Sequence, residues 1–110
     1  MTIDHFTQLA LSFPGVIAAP HFDRTAFKVS SKKIFATLHE ESGTANLKFS
    51  PPDQSVFCLI NKEVIYPVSN NWGLQGWTTF KLAKMESQLM LEALDTAYKT
   101  SINTNAIKKK

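Results

Sequence analysis

The chain has 110 residues, 44% of them hydrophobic and 11% aromatic, the make-up of one globular domain that folds without a metal or disulfide staple, not of a disordered segment. Its formal charge of +3 comes from Lys108, Lys109 and Lys110, since the rest of the chain carries nine basic and nine acidic residues; bulk charge alone therefore does not mark a nucleic-acid binder. No apolar run approaches the ~18 residues of a membrane span, and the single cysteine excludes an internal disulfide and suits a reducing, cytoplasmic setting.

Ile3, Phe6, Ala10 and Phe13 recur at helical spacing with Leu9 beside them, and "FPG" at 13–15 ends that helix. With Asp4 and Gln8 inside its apolar pattern and no basic leader, the segment reads as an amphipathic helix, not a signal peptide. "VIAAPHFD" reads as irregular because of Pro20. From Thr25 the period changes to two. "TAFKVSSKKIFATLHE" predicts two strands about a polar turn at 30–33, and "ESGTANLKF" predicts a turn at Ser42-Gly43 and a third strand. "SPPDQSVFCLINK" starts a helix, with Ser50 as cap, Pro51 in the first turn and Asp53 where the helix dipole favours an acid. Cys58 lies on its apolar side as a small hydrophobe. "EVIYPV" is a short strand, "SNNWGLQG" a loop and "WTTFKL" the last strand. "MESQLMLEALDTAYKTSI" is a long helix in which Leu91, Leu94 and Tyr98 share one side, flanked by Met90, Ala93 and Ala97.

The order α-β-β-β-α-β-β-α predicts a single α+β domain over residues 1–102, expected as a monomer, with a basic tail over 103–110. Its two layers are a largely antiparallel sheet and helices packed on one face of it. Strand alternation sorts the residues. Phe27, Val29, Ile34, Ala36, Leu38, Leu47, Phe49, Phe80 and Leu82 fall on the core side; Lys28, Phe35, Thr37, His39, Asn46, Lys48, Trp77, Thr79 and Lys81 fall on the other. Lysines supply phosphate contacts and flat rings supply stacking platforms for bases, but aromatics also anchor protein interfaces. Three readings stay open: a nucleic-acid surface, a protein- or small-ligand-docking surface on the same face, or rings covered by the loop at 70–76 or by the terminal segment, with the lysines serving solubility. The nucleic-acid reading takes Arg24, Lys28, Lys48 and Lys81 for phosphates, Phe35 and Trp77 for stacking, and Asn46 and Thr79 for polar contacts.

Catalytic and metal chemistry leave little trace. His5, His21 and His39 lie on different elements with no close-spaced His/Cys pair, so neither metal nor cofactor is expected. "HFDR" at 21–24 gathers a base, an acid and a guanidinium, but a structural Asp23–Arg24 hydrogen bond is the expectation there, and no phosphate-cradling glycine motif or ordered triad accompanies it. The chain is read as a binding protein, not an enzyme.

"SFPGV", "HFDRTAFKVSSKKIFATL", "ANLKFSPPDQ" and "WGLQGWTTFKL" ahead of a terminal helix resemble, in that order, the MmcQ/YjbR family of small bacterial proteins, over about residues 4 to 102. The matching positions are Pro14, Gly15, His21, Arg24, Phe27, Val29, Phe35, Ala36, Asn46, Leu47, Lys48, Trp72, Gly73, Gly76 and Trp77. The resemblance implies a frataxin/CyaY-like fold and DNA binding, sometimes through a double wing of strands, and brings no enzyme activity with it. It departs from the commoner pattern at Phe22-Asp23, where small or glycine residues are frequent. The acidic ridge of frataxins is reduced to Asp4 on the first helix. Within "WGLQGW", Gly73 and Gly76 are expected to permit turns, Trp72 to tuck inward as a plug and Trp77 to face outward.

Overall fold

The computed structural model describes the backbone of residues 1–108 and the side chains of 1–103; of the tail expected over 103–110, Lys109 and Lys110 lie outside the described residues. Eleven segments follow in order. They are α1 (Ile3–Leu11), β1 (Val16–His21), β2 (Arg24–Val29), β3 (Ile34–His39), β4 (Thr44–Lys48), α2 (Pro51–Ile60), β5 (Ile65–Pro67), α3 (Asn71–Leu74), β6 (Trp77–Lys81), a 3₁₀ turn (Leu82–Lys84) and α4 (Ser87–Lys108). The strands form one six-stranded sheet in the order β1-β2-β3-β4-β6-β5, antiparallel at every pairing.

Two elements differ from expectation. The segment read as irregular is strand β1, paired with β2 from Val16↔Val29 to His21↔Arg24. Pro20 is compatible with it because β1 is an edge strand, where a missing N–H removes no second ladder. The loop before the last strand contains the four-residue α3, opened by the Asn70 side chain accepting from the Trp72 backbone N–H at 2.9 Å.

The long helices share one face of the sheet. Phe6 of α1 meets Phe27 edge to face, and α4 buries Met90, Ala93, Leu94 and Ala97. The buried stripe is thus centred on residues expected only to flank it, with Leu91 and Tyr98 at its margins. On α2, Phe57 stacks on Phe49 at 4.8 Å, and Phe49 meets Phe80 in turn. The Tyr98 hydroxyl donates to the Pro14 carbonyl at 2.7 Å, tying α4 to the end of α1.

One irregularity governs the second face. Phe27 opposes Ala36 but Lys28 opposes Ile34, so Phe35 is an extra residue, a β-bulge. Alternation breaks there. Phe35 and Ala36 are both fully buried, and Phe35 lies edge-on to Tyr98 of α4 at 5.8 Å. The outward, stacking Phe35 expected from strict alternation is therefore corrected, and Ile34 moves from the expected core side to the row of Lys28.

Candidate nucleic-acid interface

Cross-strand partners share a face, so the register maps the face opposite the helices. Its middle row runs Ala26, Thr37, Asn46, Thr79 and Tyr66 across five strands. Within it the Thr79 hydroxyl donates to Asn46 Oδ1 at 2.8 Å. Lys28 with Ile34, and Lys48 with Trp77, occupy one end. His39, Thr44 and Lys81 occupy the other. Lys81 therefore sits about 13 Å along β6 from Trp77, with Nζ 5.9 Å from the Tyr66 ring. The eight predicted residues do not form one cluster: Lys28, Lys48 and Trp77 converge, Asn46 and Thr79 lie beside them, Arg24 lines a separate cavity, Lys81 is remote and Phe35 is buried.

At the convergent end a cavity of about 430 Å³ is lined by Lys28, Lys32, Lys33 and Lys48, by Trp72, Gln75 and Trp77, by Thr100 and Ser101 of α4, and by Ile34, Phe35 and Ala97. The turn carrying Lys32 and Lys33 is held there because the Ser101 hydroxyl donates to the Lys33 carbonyl at 3.1 Å. Partial burial, and secondarily the Lys33 ammonium, push the Lys48 pKa below its ordinary value. Both causes disfavour a proton on an amine that already shares its space with cations. Such a cavity attracts anions. Lys32 and Lys33 escaped the sequence reading because a turn lies outside strand alternation; the only local signal was the doublet in "SSKK".

Trp77 lies on the outward face as expected, but Trp72 does not tuck inward. Trp72 is 57% exposed, whereas Trp77 is half-buried. Gly73, not Trp72, takes the inward position of α3, so close to the Val68 backbone that a Cβ would overlap its carbonyl oxygen. Gly76 has φ +108° and meets the Phe49 carbonyl in the same way. Gln54 completes the brace, its amide donating to the Gly73 and Trp77 carbonyls at 3.0 and 3.1 Å. Trp72 is left standing at the boundary between the lysine cavity and a second one.

That second cavity, of about 200 Å³, is lined by His21, Arg24, Thr37, Asn46, Val68, Trp72 and Trp77. Arg24 makes no hydrogen bond to Asp23. Instead the His39 Nε2–H donates to Asp23 Oδ2 at 3.0 Å, and His39 Nδ1 lies 2.6 Å from Ser42 Oγ, itself 2.8 Å from Thr44 Oγ1. The backbone N–H of Ser42 also donates to Nδ1, so this acid–imidazole–hydroxyl series clasps the β3–β4 turn to the β1–β2 hairpin. None of Asp23, His39 and Ser42 lines either cavity. Among the described residues no three His, Cys, Asp or Glu side chains gather as a metal ion would require. No described helix is long and apolar enough to cross a membrane.

Element order, sheet order and helix placement define a two-layer α+β domain whose second face carries these two cavities. A family model, YjbR, matches residues 11–100, and the chain belongs to that family. The fold is similar to the crystal structure of a Deinococcus radiodurans protein, DR2400, described by its DUF419 domain. The TM-score is 0.75 at 21% identity, covering 90% of this chain and 78% of that one. No curated protein matches the sequence.

Proposed function

We propose that this YjbR-family protein binds single-stranded nucleic acid, weakly and with little sequence preference, in the lysine-lined cavity, and that it does so without catalysis. The carrying observation is the convergence of Lys28, Lys32, Lys33 and Lys48 on one cavity whose lining includes the exposed Trp72. Ammonium groups meet phosphates without reading sequence, and a solvent-facing indole offers a base its flat side. Relative to the residues expected from sequence, Lys32, Lys33 and Trp72 join the site and Lys28, Lys48 and Trp77 stay; Phe35 contributes buried wall and no stacking surface, and Arg24, Asn46, Thr79 and Lys81 fall outside it. About three phosphate contacts give a slope of about −2 in log affinity against log salt on a single strand.

The test is fluorescence anisotropy of a labelled oligothymidine at low and high salt. The parent binds, salt weakens it, and Lys33→Glu with Lys48→Glu abolishes it. Trp72→Ala weakens it by the ~1–3 kcal/mol of one stacked base. A parent that fails to bind at low salt, or binding indifferent to salt and to the lysine reversals, refutes the proposal.

A further inference from the structure

Arg24 carries an anomaly that the lysine cavity does not absorb. Among the described residues its Nη1 is the one buried side-chain nitrogen or oxygen without a hydrogen-bond partner. A guanidinium nitrogen taken out of water and left unpaired is costly, because the desolvation of the charge is not returned. The nearest acid in sequence, Asp23, is engaged by His39. Arg24 instead lines the 200 Å³ cavity, which Trp72, Trp77 and Val68 bound with apolar surface. A second unfilled donor stands in the same lining. Asn46 spends its carbonyl oxygen on the Thr79 hydroxyl, which leaves its amide N–H₂ group to donate elsewhere.

We propose that this cavity is a binding site for a small carboxylate with a flat, apolar body. Arg24 donates from its guanidinium to the carboxylate, Asn46 adds an amide N–H, and the body lies against Trp72 and Trp77. A guanidinium fork matches the two oxygens of a carboxylate, and a mostly apolar wall with a few polar groups is the usual make-up of a small-molecule site. At about 200 Å³ the cavity has room for one ring bearing a carboxylate. The site is separate from the lysine cavity and shares only the two tryptophans with it, so it does not depend on nucleic-acid binding.

Both tryptophans of the chain border this cavity, so the two indole N–H resonances in a ¹H–¹⁵N spectrum report on it. Titration with benzoate should shift both saturably, with a millimolar Kd; benzamide, of the same shape without the charge, should not. Arg24→Gln should weaken benzoate about tenfold or more. Should that variant fail to fold by circular dichroism, Arg24→Lys keeps the charge, loses the fork and should weaken it likewise. Lys33→Glu with Lys48→Glu should leave benzoate binding in place while removing nucleic acid, which separates failure of one site from failure of the other. The proposal is overturned by an absent or unsaturable benzoate response, by an equal response to benzamide, or by Arg24 variants that bind as the parent does. Inorganic phosphate displacing benzoate at equal concentration would overturn the carboxylate assignment.

Discussion

Phe22 sits at the tip of the β1–β2 hairpin, 94% exposed and with φ +59°. His21 and Arg24 pair across it, and only the first of the two turn residues has positive φ, the condition that favours glycine there in a type II′ turn. A bulky side chain in that region is strained. Phe22→Gly should stabilise the fold by up to ~1 kcal/mol, the strain relief being partly offset by the greater freedom of an unfolded glycine; a thermal melt measures it. Gly76 is the opposite case. Positive φ and the Phe49 carbonyl both forbid a side chain, so Gly76→Ala should cost at least ~2 kcal/mol in urea denaturation. Phe35, fully buried, belongs with the core. Its truncation to Ala should cost ~3–5 kcal/mol of stability in urea denaturation.

At the scale of elements, local rules account for most starts and stops. The Ser50 hydroxyl accepts from the Asp53 backbone N–H at 3.3 Å and donates to its carboxylate at 3.1 Å. This cap opens α2 immediately after a strand that ends in the core. Ser50→Ala should destabilise the protein by ~1 kcal/mol, read from the midpoint of chemical denaturation. Helix α2 packs lightly. It has no fully buried residue, and Val56, Leu59 and Ile60 stay exposed while Phe57 alone reaches the aromatic cluster. The bulge in β3 shows what element-level reasoning lacks. Every residue there has strand character, and only the mismatch with β2 reverses the parity. Likewise β1 exists because an edge of the sheet accepts a proline, a condition absent from "VIAAPHFD" itself.

For the whole molecule, charge is a matter of placement. Four lysines from two strands and one turn meet at one cavity, and the fold holds Lys48 at a pKa below the ordinary 10.5, through burial first and Lys33 second. Between the lowered folded value and the unfolded one, the unfolded chain binds more protons. Stability therefore rises with pH through that alkaline window, and below it the penalty for the charged amine is fully present. Lys48→Met should flatten the rise, and Lys33→Gln should flatten it in part, as followed by denaturation midpoints across alkaline pH. An anion bound in the cavity acts oppositely to the lysine repulsion, so an oligonucleotide should raise the melting temperature of the parent but not of Lys33→Glu with Lys48→Glu.

By itself the sequence determined the class of fold, the three long helices, five of the six strands and most of the core, because spacing at periods of two and near four is written locally and buried faces follow from it. Its ordered motifs also carried the family. Tertiary structure alone decided that Phe35 turns inward, that Lys32 and Lys33 complete a cavity begun by Lys28 and Lys48, that Trp72 stands outward, and that Arg24 is left with an unpaired nitrogen. Those outcomes depend on which strand lies opposite which residue and on what a turn packs against. Both are relations between distant segments, and no local period encodes them.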